Sequence, residues 1–134
     1  MILPTFKESE VKDLFDILDK FLRDLDSPIS KEQYLATMQE LGQEPDYKKI
    51  PLGFEDIPND CQLAFNIYSK LGNRVYGDVG FTGKDYTNLP ILIEIYHIWD
   101  KDLLLDLLNS IDAFNINKNQ KQIKKMYDDM KKKK

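Results

Sequence analysis

Apolar residues recur at three- and four-residue steps through most of this chain, and that period is the signature of helices buried on one face. Val11, Leu14, Phe15, Leu18, Phe21, Leu22 and Leu25 predict a first helix from about Glu8 to Leu25. Its other face carries Lys12, Asp13, Asp16, Asp19, Lys20, Arg23 and Asp24, with Asp16 and Lys20 spaced to pair. Asp26-Ser27-Pro28 ends it. Ser30 with Gln33 predicts a capping box for a second helix, whose stripe is Tyr34, Leu35, Met38 and Leu41 and whose end is Gly42. Asn59 with Gln62 predicts the start of a third, with Leu63, Ala64, Ile67, Tyr68 and Leu71 inside and Gly72 closing it. From Leu89 to Ile98 the chain is apolar nearly all round, with Pro90 acceptable only in a first turn begun by Thr87 or Asn88. That predicts a central, buried helix. Asp100 caps a fifth, built on Leu103, Leu104, Leu107, Leu108, Ile111 and Phe114. Asn115 to Asn119 is expected to bend or fray it, while Ile123, Met126, Tyr127 and Met130 keep helical spacing into the tail.

Two stretches break the pattern, apart from a short apolar lead-in at Met1–Phe6 in which Pro4 forbids an early helix. Gln43 to Pro58 holds Pro45, Pro51, Pro58 and Gly53, which no regular element survives. Its Tyr47, Ile50, Leu52, Phe54 and Ile57 are expected to pin it across the helices. Gly72 to Pro90, GNRVYGDVGFTGKDYTNLP, holds four of the six glycines. Alternation there suits a small hairpin, Arg74-Val75-Tyr76 against Val79-Gly80-Phe81, with the glycines allowing positive φ. The fold expected is mainly α: a single-domain bundle of five to six helices over residues 1–117, the hairpin in its central loop, and a basic C-terminal helix or tail over 118–134.

Composition changes this picture little. With 42% hydrophobic and 31% charged residues the chain reads as globular. No apolar run approaches the roughly 20 residues that span a bilayer. MILPTFKESE lacks a basic n-region, so no secretory leader is expected. A lone cysteine, Cys61, cannot form an internal disulfide, and a reducing, cytoplasmic setting is expected. Charge is more informative. The net charge is -4, yet residues 118–134 carry eight lysines against two aspartates, leaving eleven basic and twenty-one acidic groups for the rest. An acidic body argues against a nucleic-acid platform, and the tail remains a possible electrostatic arm.

Gly83-Lys84 invites comparison with the phosphate loop of nucleotide hydrolases, but Asp78 stands where that loop needs glycine and Asp85 where it needs a hydroxyl. Gly77, Gly80 and Gly83 miss the dinucleotide spacing. The overlapping GDVG and GFTG units resemble the clamp of KH-type RNA binders, which demands basic surroundings this body lacks. Cys61 with His97 could be written as a nucleophile pair, with no orienting third residue nearby. One histidine and one cysteine cannot build a structural zinc site. Asp13, Asp16, Asp19 and Asp24, and likewise Asp102, Asp106 and Asp112, read as solvated helix faces. No catalytic residue, metal or cofactor is expected.

What remains is recognition. Arg74, Tyr76, Phe81, Lys84, Asp85 and Tyr86 form a candidate protein-binding edge, with Asp85 either capping the next helix or pairing with Arg74. Tyr47, Phe54 and Phe81 would equally serve a homo-oligomer face. The alternative is nucleic-acid binding through Lys121, Lys124, Lys125 and Lys131 of the tail. A metal-dependent enzyme using clustered carboxylates is a further, weaker alternative.

The run from Ile57 to Ile98 carries IPND, then AFNIYSKL, then GFTGKDYTNLPILIEIYHI. In that layout, about a third of the chain, it resembles small accessory proteins of tailed bacteriophages, tail-assembly chaperones among them. The resemblance implies a non-enzymatic role in assembly or host takeover, in the host cytoplasm, with another protein as partner. It carries over no functional residue.

Overall fold

The computed structural model describes residues 8–132, with backbone alone for 8–10. The lead-in Met1–Phe6 and the last two lysines, Lys133 and Lys134, therefore lie outside the described residues. The described chain is mainly α: α1 (Glu8–Leu25), α2 (Lys31–Glu40), α3 (Asn59–Lys70), β1 (Gly72–Tyr76), β2 (Gly80–Asp85), α4 (Leu89–Ile95) and α5 (Lys101–Lys132), with a 3-10 turn at Phe54–Asp56. It divides into two compact units, Met1–Gln62 and Leu63–Lys134, the division falling inside α3. Among the described residues, no helix is long and apolar enough to cross a membrane.

In the first unit α1 follows its pattern, burying Leu14, Leu18, Phe21 and Leu22. Lys20 pairs with Asp24 at 2.6 Å rather than with Asp16, because both groups are recruited by the 43–58 connection. Lys20 Nζ donates to the Ile50 carbonyl at 2.9 Å, and Asp24 accepts the Leu52 N–H at 2.9 Å. Contrary to the expectation of no regular element, this proline-rich segment keeps one 3-10 turn, and side chains supply partners for backbone groups in the rest of it. The apolar pinning is partial. Ile57 is buried and Phe54 meets Phe21 edge-on at 6.4 Å, but Tyr47 stands exposed. The α2 capping box forms on both arms: Ser30 Oγ accepts the Gln33 N–H at 3.2 Å and Gln33 Oε1 accepts the Ser30 N–H at 2.9 Å. No α2 residue is fully buried, so caps and half-covered contacts hold it. A Lys31–Asp56 pair at 2.8 Å ties its first turn to the 3-10 turn.

In the second unit α3 buries Ala64, Ile67, Tyr68 and Leu71. Its start differs from expectation. Asn59 is already helical, the first bond is Gln62 N–H to the Pro58 carbonyl at 3.0 Å, and the Gln62 side chain donates to the Ile57 carbonyl at 2.9 Å. Asp100 does cap α5, accepting the Leu103 N–H at 3.0 Å. α5 stays helical through Asn115–Asn119, where a bend or fraying was expected. The Asn115 and Asn119 side chains donate outward, to Tyr68 and to hairpin carbonyls, and do not compete for their own backbone. The expectation of a central, buried α4 is corrected. It ends at Ile95, buries only Leu92, and leaves Ile91 and Ile95 exposed. A helix this short covers one face, and an apolar surround in sequence cannot create neighbours on the other sides.

The hairpin is longer than the alternation suggests. Its register pairs Gly72 with Asp85, Asn73 with Lys84, Val75 with Phe81 and Tyr76 with Gly80, with an irregularity between Asn73 and Val75. Of its glycines, only Gly80 (φ 78°) and Gly83 (φ 122°) adopt the left-handed region.

Candidate functional site

The hairpin is anchored by one residue that the sequence pattern misassigned. Asp112 is not on a solvated face; it is 9% exposed, the one buried charge among the described residues. Its Oδ1 accepts the Tyr68 hydroxyl at 3.0 Å and the Lys84 N–H at 3.1 Å. Its Oδ2 accepts the Tyr86 hydroxyl at 3.2 Å. Thus α3, β2 and the turn after β2 all donate to one carboxylate on α5. Gly83 makes the approach possible, since a Cβ there would sit 3.0 Å from Asp112 Oδ2. A usable signal existed: Leu104, Leu108 and Asp112 fall at successive four-residue steps on the core side of α5.

The donors are tuned to remain donors. Burial, with the Asp112 carboxylate beside it, pushes the Tyr86 phenol up to about 12 and drives the Tyr68 phenol higher still. Both stay neutral at ordinary pH. Lys84 lies over the Tyr68 ring, 4.7 Å from its centroid, and donates to the Leu71 carbonyl at 3.1 Å. Burial lowers its pKa, against the pull of Asp112. The Asp112 oxygens are occupied by three donors from three different elements. The cluster works as a latch.

A second tie holds the tip. Asn119 Nδ2 donates to the Val79 and Phe81 carbonyls at 3.1 and 3.2 Å. Gly80 is pressed close, since a Cβ there would meet Asn119 and Ile123 at 3.0 Å. The sequence-selected edge residues therefore divide. Arg74 and Tyr76 are exposed, the guanidinium 6.0 Å from the Tyr76 ring centroid. Phe81 is half-buried opposite Val75. Lys84 and Tyr86 are turned to the latch. Asp85 accepts the Thr87 N–H at 2.9 Å, and the Thr87 hydrogen bonds hold its pKa below the ordinary carboxylate range.

Distal α5 faces the tip across a groove of about 620 Å³. Val79, Ile123 and Tyr127 give it an apolar lining, and Asp78, Lys124, Asp128 and Lys131 rim it. The loop and the tail, separate in sequence, thus meet in one surface. Of the tail lysines singled out above, Lys124 and Lys131 reach this groove; Lys121 and Lys125 are exposed elsewhere on the helix.

Cys61 is fully buried, its thiol donating to the Leu14 carbonyl at 3.9 Å, and burial pushes it up to about 11, the reverse of what a nucleophile needs. Among the described residues no three His, Cys, Asp or Glu side chains gather as a metal site. No family model, curated protein or solved structure matches the chain.

Proposed function

We propose that this protein acts without catalysis by binding another protein, as a phage-type assembly factor or an inhibitor of a larger machine, in the cytoplasm of its cell. The partner's extended segment adds to the outer edge of β1. The observation that supports this is the hairpin itself. Every β1 residue is exposed, the sheet has only two strands among the described residues, and the far strand is latched from behind by Asp112. An open strand edge offers unpaired backbone groups and is a recurrent docking surface. Exposed Arg74 and Tyr76, the guanidinium donating to the Tyr76 hydroxyl at 3.4 Å, suit the anchor role that aromatic and arginine side chains take at interfaces.

The test is a quantitative pull-down from the native cell, with the wild type, an Arg74→Ala/Tyr76→Ala variant, and a variant with Lys121, Lys124, Lys125 and Lys131 changed to Gln. The expected result is at least tenfold loss of the captured partner with the edge variant and none with the lysine variant. The same partner returning undiminished with the edge variant refutes the reading. Nucleic-acid binding through the exposed lysines of α5 is the second reading. Its mark is a steep fall in affinity with salt, by counterion release, which a strand-edge contact lacks.

A further inference from the structure

We infer that the groove between the hairpin tip and distal α5 is a self-association site, filled by the same groove of a second copy of this chain. Its lining is apolar and open: Val79 is 53% exposed and Tyr127 50%. Its rims are of opposite sign. The hairpin rim carries Asp78, while the helix rim carries Lys124, Asp128 and Lys131 and so has one net positive charge. A two-fold axis running along the groove sets the helix rim of one copy against the hairpin rim of the other, which makes the patch complementary to itself. The sum over both rims is zero, a poor match for nucleic acid or for an acidic protein.

The remaining lysines fit the same arrangement. At 100° per residue, Lys118, Lys121, Lys125 and Lys132 fall on the side of α5 opposite Ile123, Tyr127 and Met130. Two copies can close over the apolar stripe without bringing those charges together. The contact is small. Lys118 to Lys132 spans about 22 Å of helix, so with the hairpin tip the buried area falls in the class of weak, transient interfaces. The dimer is accordingly concentration-dependent. This site is separate from the proposed partner edge on β1, and either can fail alone.

Sedimentation velocity from about 1 µM to about 500 µM tests it, at dissociation constants typical of weak pairs. The wild type is expected to pass from monomer to dimer across that range. Tyr127→Glu should remain monomeric with unchanged helical circular dichroism. Asp78→Lys and the double variant Lys124→Glu/Lys131→Glu should each weaken dimerisation at least tenfold alone. Mixed together they should form a heterodimer, because each then supplies the rim the other lacks. A wild type that stays monomeric, a dimer indifferent to Tyr127→Glu, or a mixture that does not restore pairing overturns the inference. So does a monomer in which Tyr127→Glu abolishes binding to duplex DNA or to another protein, since the groove then belongs to that occupant.

Discussion

A buried carboxylate is tolerated only where donors replace its water, and Asp112 has three. Asp112→Ala removes the acceptor and strands the Tyr68 hydroxyl and the Lys84 N–H. The expected cost is about 3 kcal/mol, read as a lower urea midpoint, together with weakened partner binding although the β1 edge is untouched. Unchanged stability would show that the latch carries no energy. The phenols add a pH dependence. Tyr86 titrates at about 12 in the folded protein against 10.0 for the ordinary group, so the unfolded chain loses this proton first. Above pH 10 the unfolded state binds fewer protons than the native one, and stability falls until pH passes the native value. Melting temperature should therefore drop between pH 10 and 12, and the drop should be shallower in Tyr86→Phe.

Two helix ends in this protein use the same device with different residues. At the end of α2 the N–H of Gly42 donates to the Gln39 carbonyl and that of Gln43 to Met38, with Gly42 at φ 64°. At the end of α4 the N–H of His97 donates to Glu94 and that of Ile98 to Ile93, with His97 at φ 54°. Both are Schellman ends, which place a left-handed residue just after the helix. Glycine adopts that conformation without penalty, and a β-carbon costs about 1 kcal/mol there. His97→Gly is expected to stabilise by about 0.5 kcal/mol, the relief being partly offset by greater freedom of the unfolded chain. Gly42→Ala should destabilise by about 1 kcal/mol. Chemical denaturation of both variants checks the pair. Loss of stability in His97→Gly would mean that the imidazole makes a contact worth more than the strain. The cap chemistry of α2 and α5 was readable from Ser30, Gln33 and Asp100, because capping is local. α3 starts one residue before the position its Asn59 predicts, since the Pro58 carbonyl takes the first helical bond.

Over the whole molecule, charge is segregated along one polymer: eight of the nineteen basic residues lie beyond residue 117. Changing Lys121, Lys124, Lys125 and Lys131 to Gln should lower the salt at which the protein leaves a heparin column. Those side chains are exposed on α5, so the unfolding free energy should stay within about 0.5 kcal/mol of the wild type. A large stability loss would mean that the lysines are structural. The nineteen-residue stretch Gly72–Pro90 and the tail were separately legible as unusual. Their convergence was not, because Asn119 and Ile123 reach Val79 and Gly80 across about forty residues of intervening chain.

Sequence alone determined what depends on near neighbours. The helices of α1 and α5 follow from apolar period, the α2 and α5 starts from side chains three residues away, and a turn within 72–90 from its glycines. Tertiary structure decided what depends on distant groups. It put Asp112 inside, left α4 half-uncovered, turned Lys84 and Tyr86 inward and kept Arg74 and Tyr76 out. The reason is physical: a helical period fixes which side of a segment is apolar, whereas burial of a polar group depends on whether donors from other elements arrive to replace water.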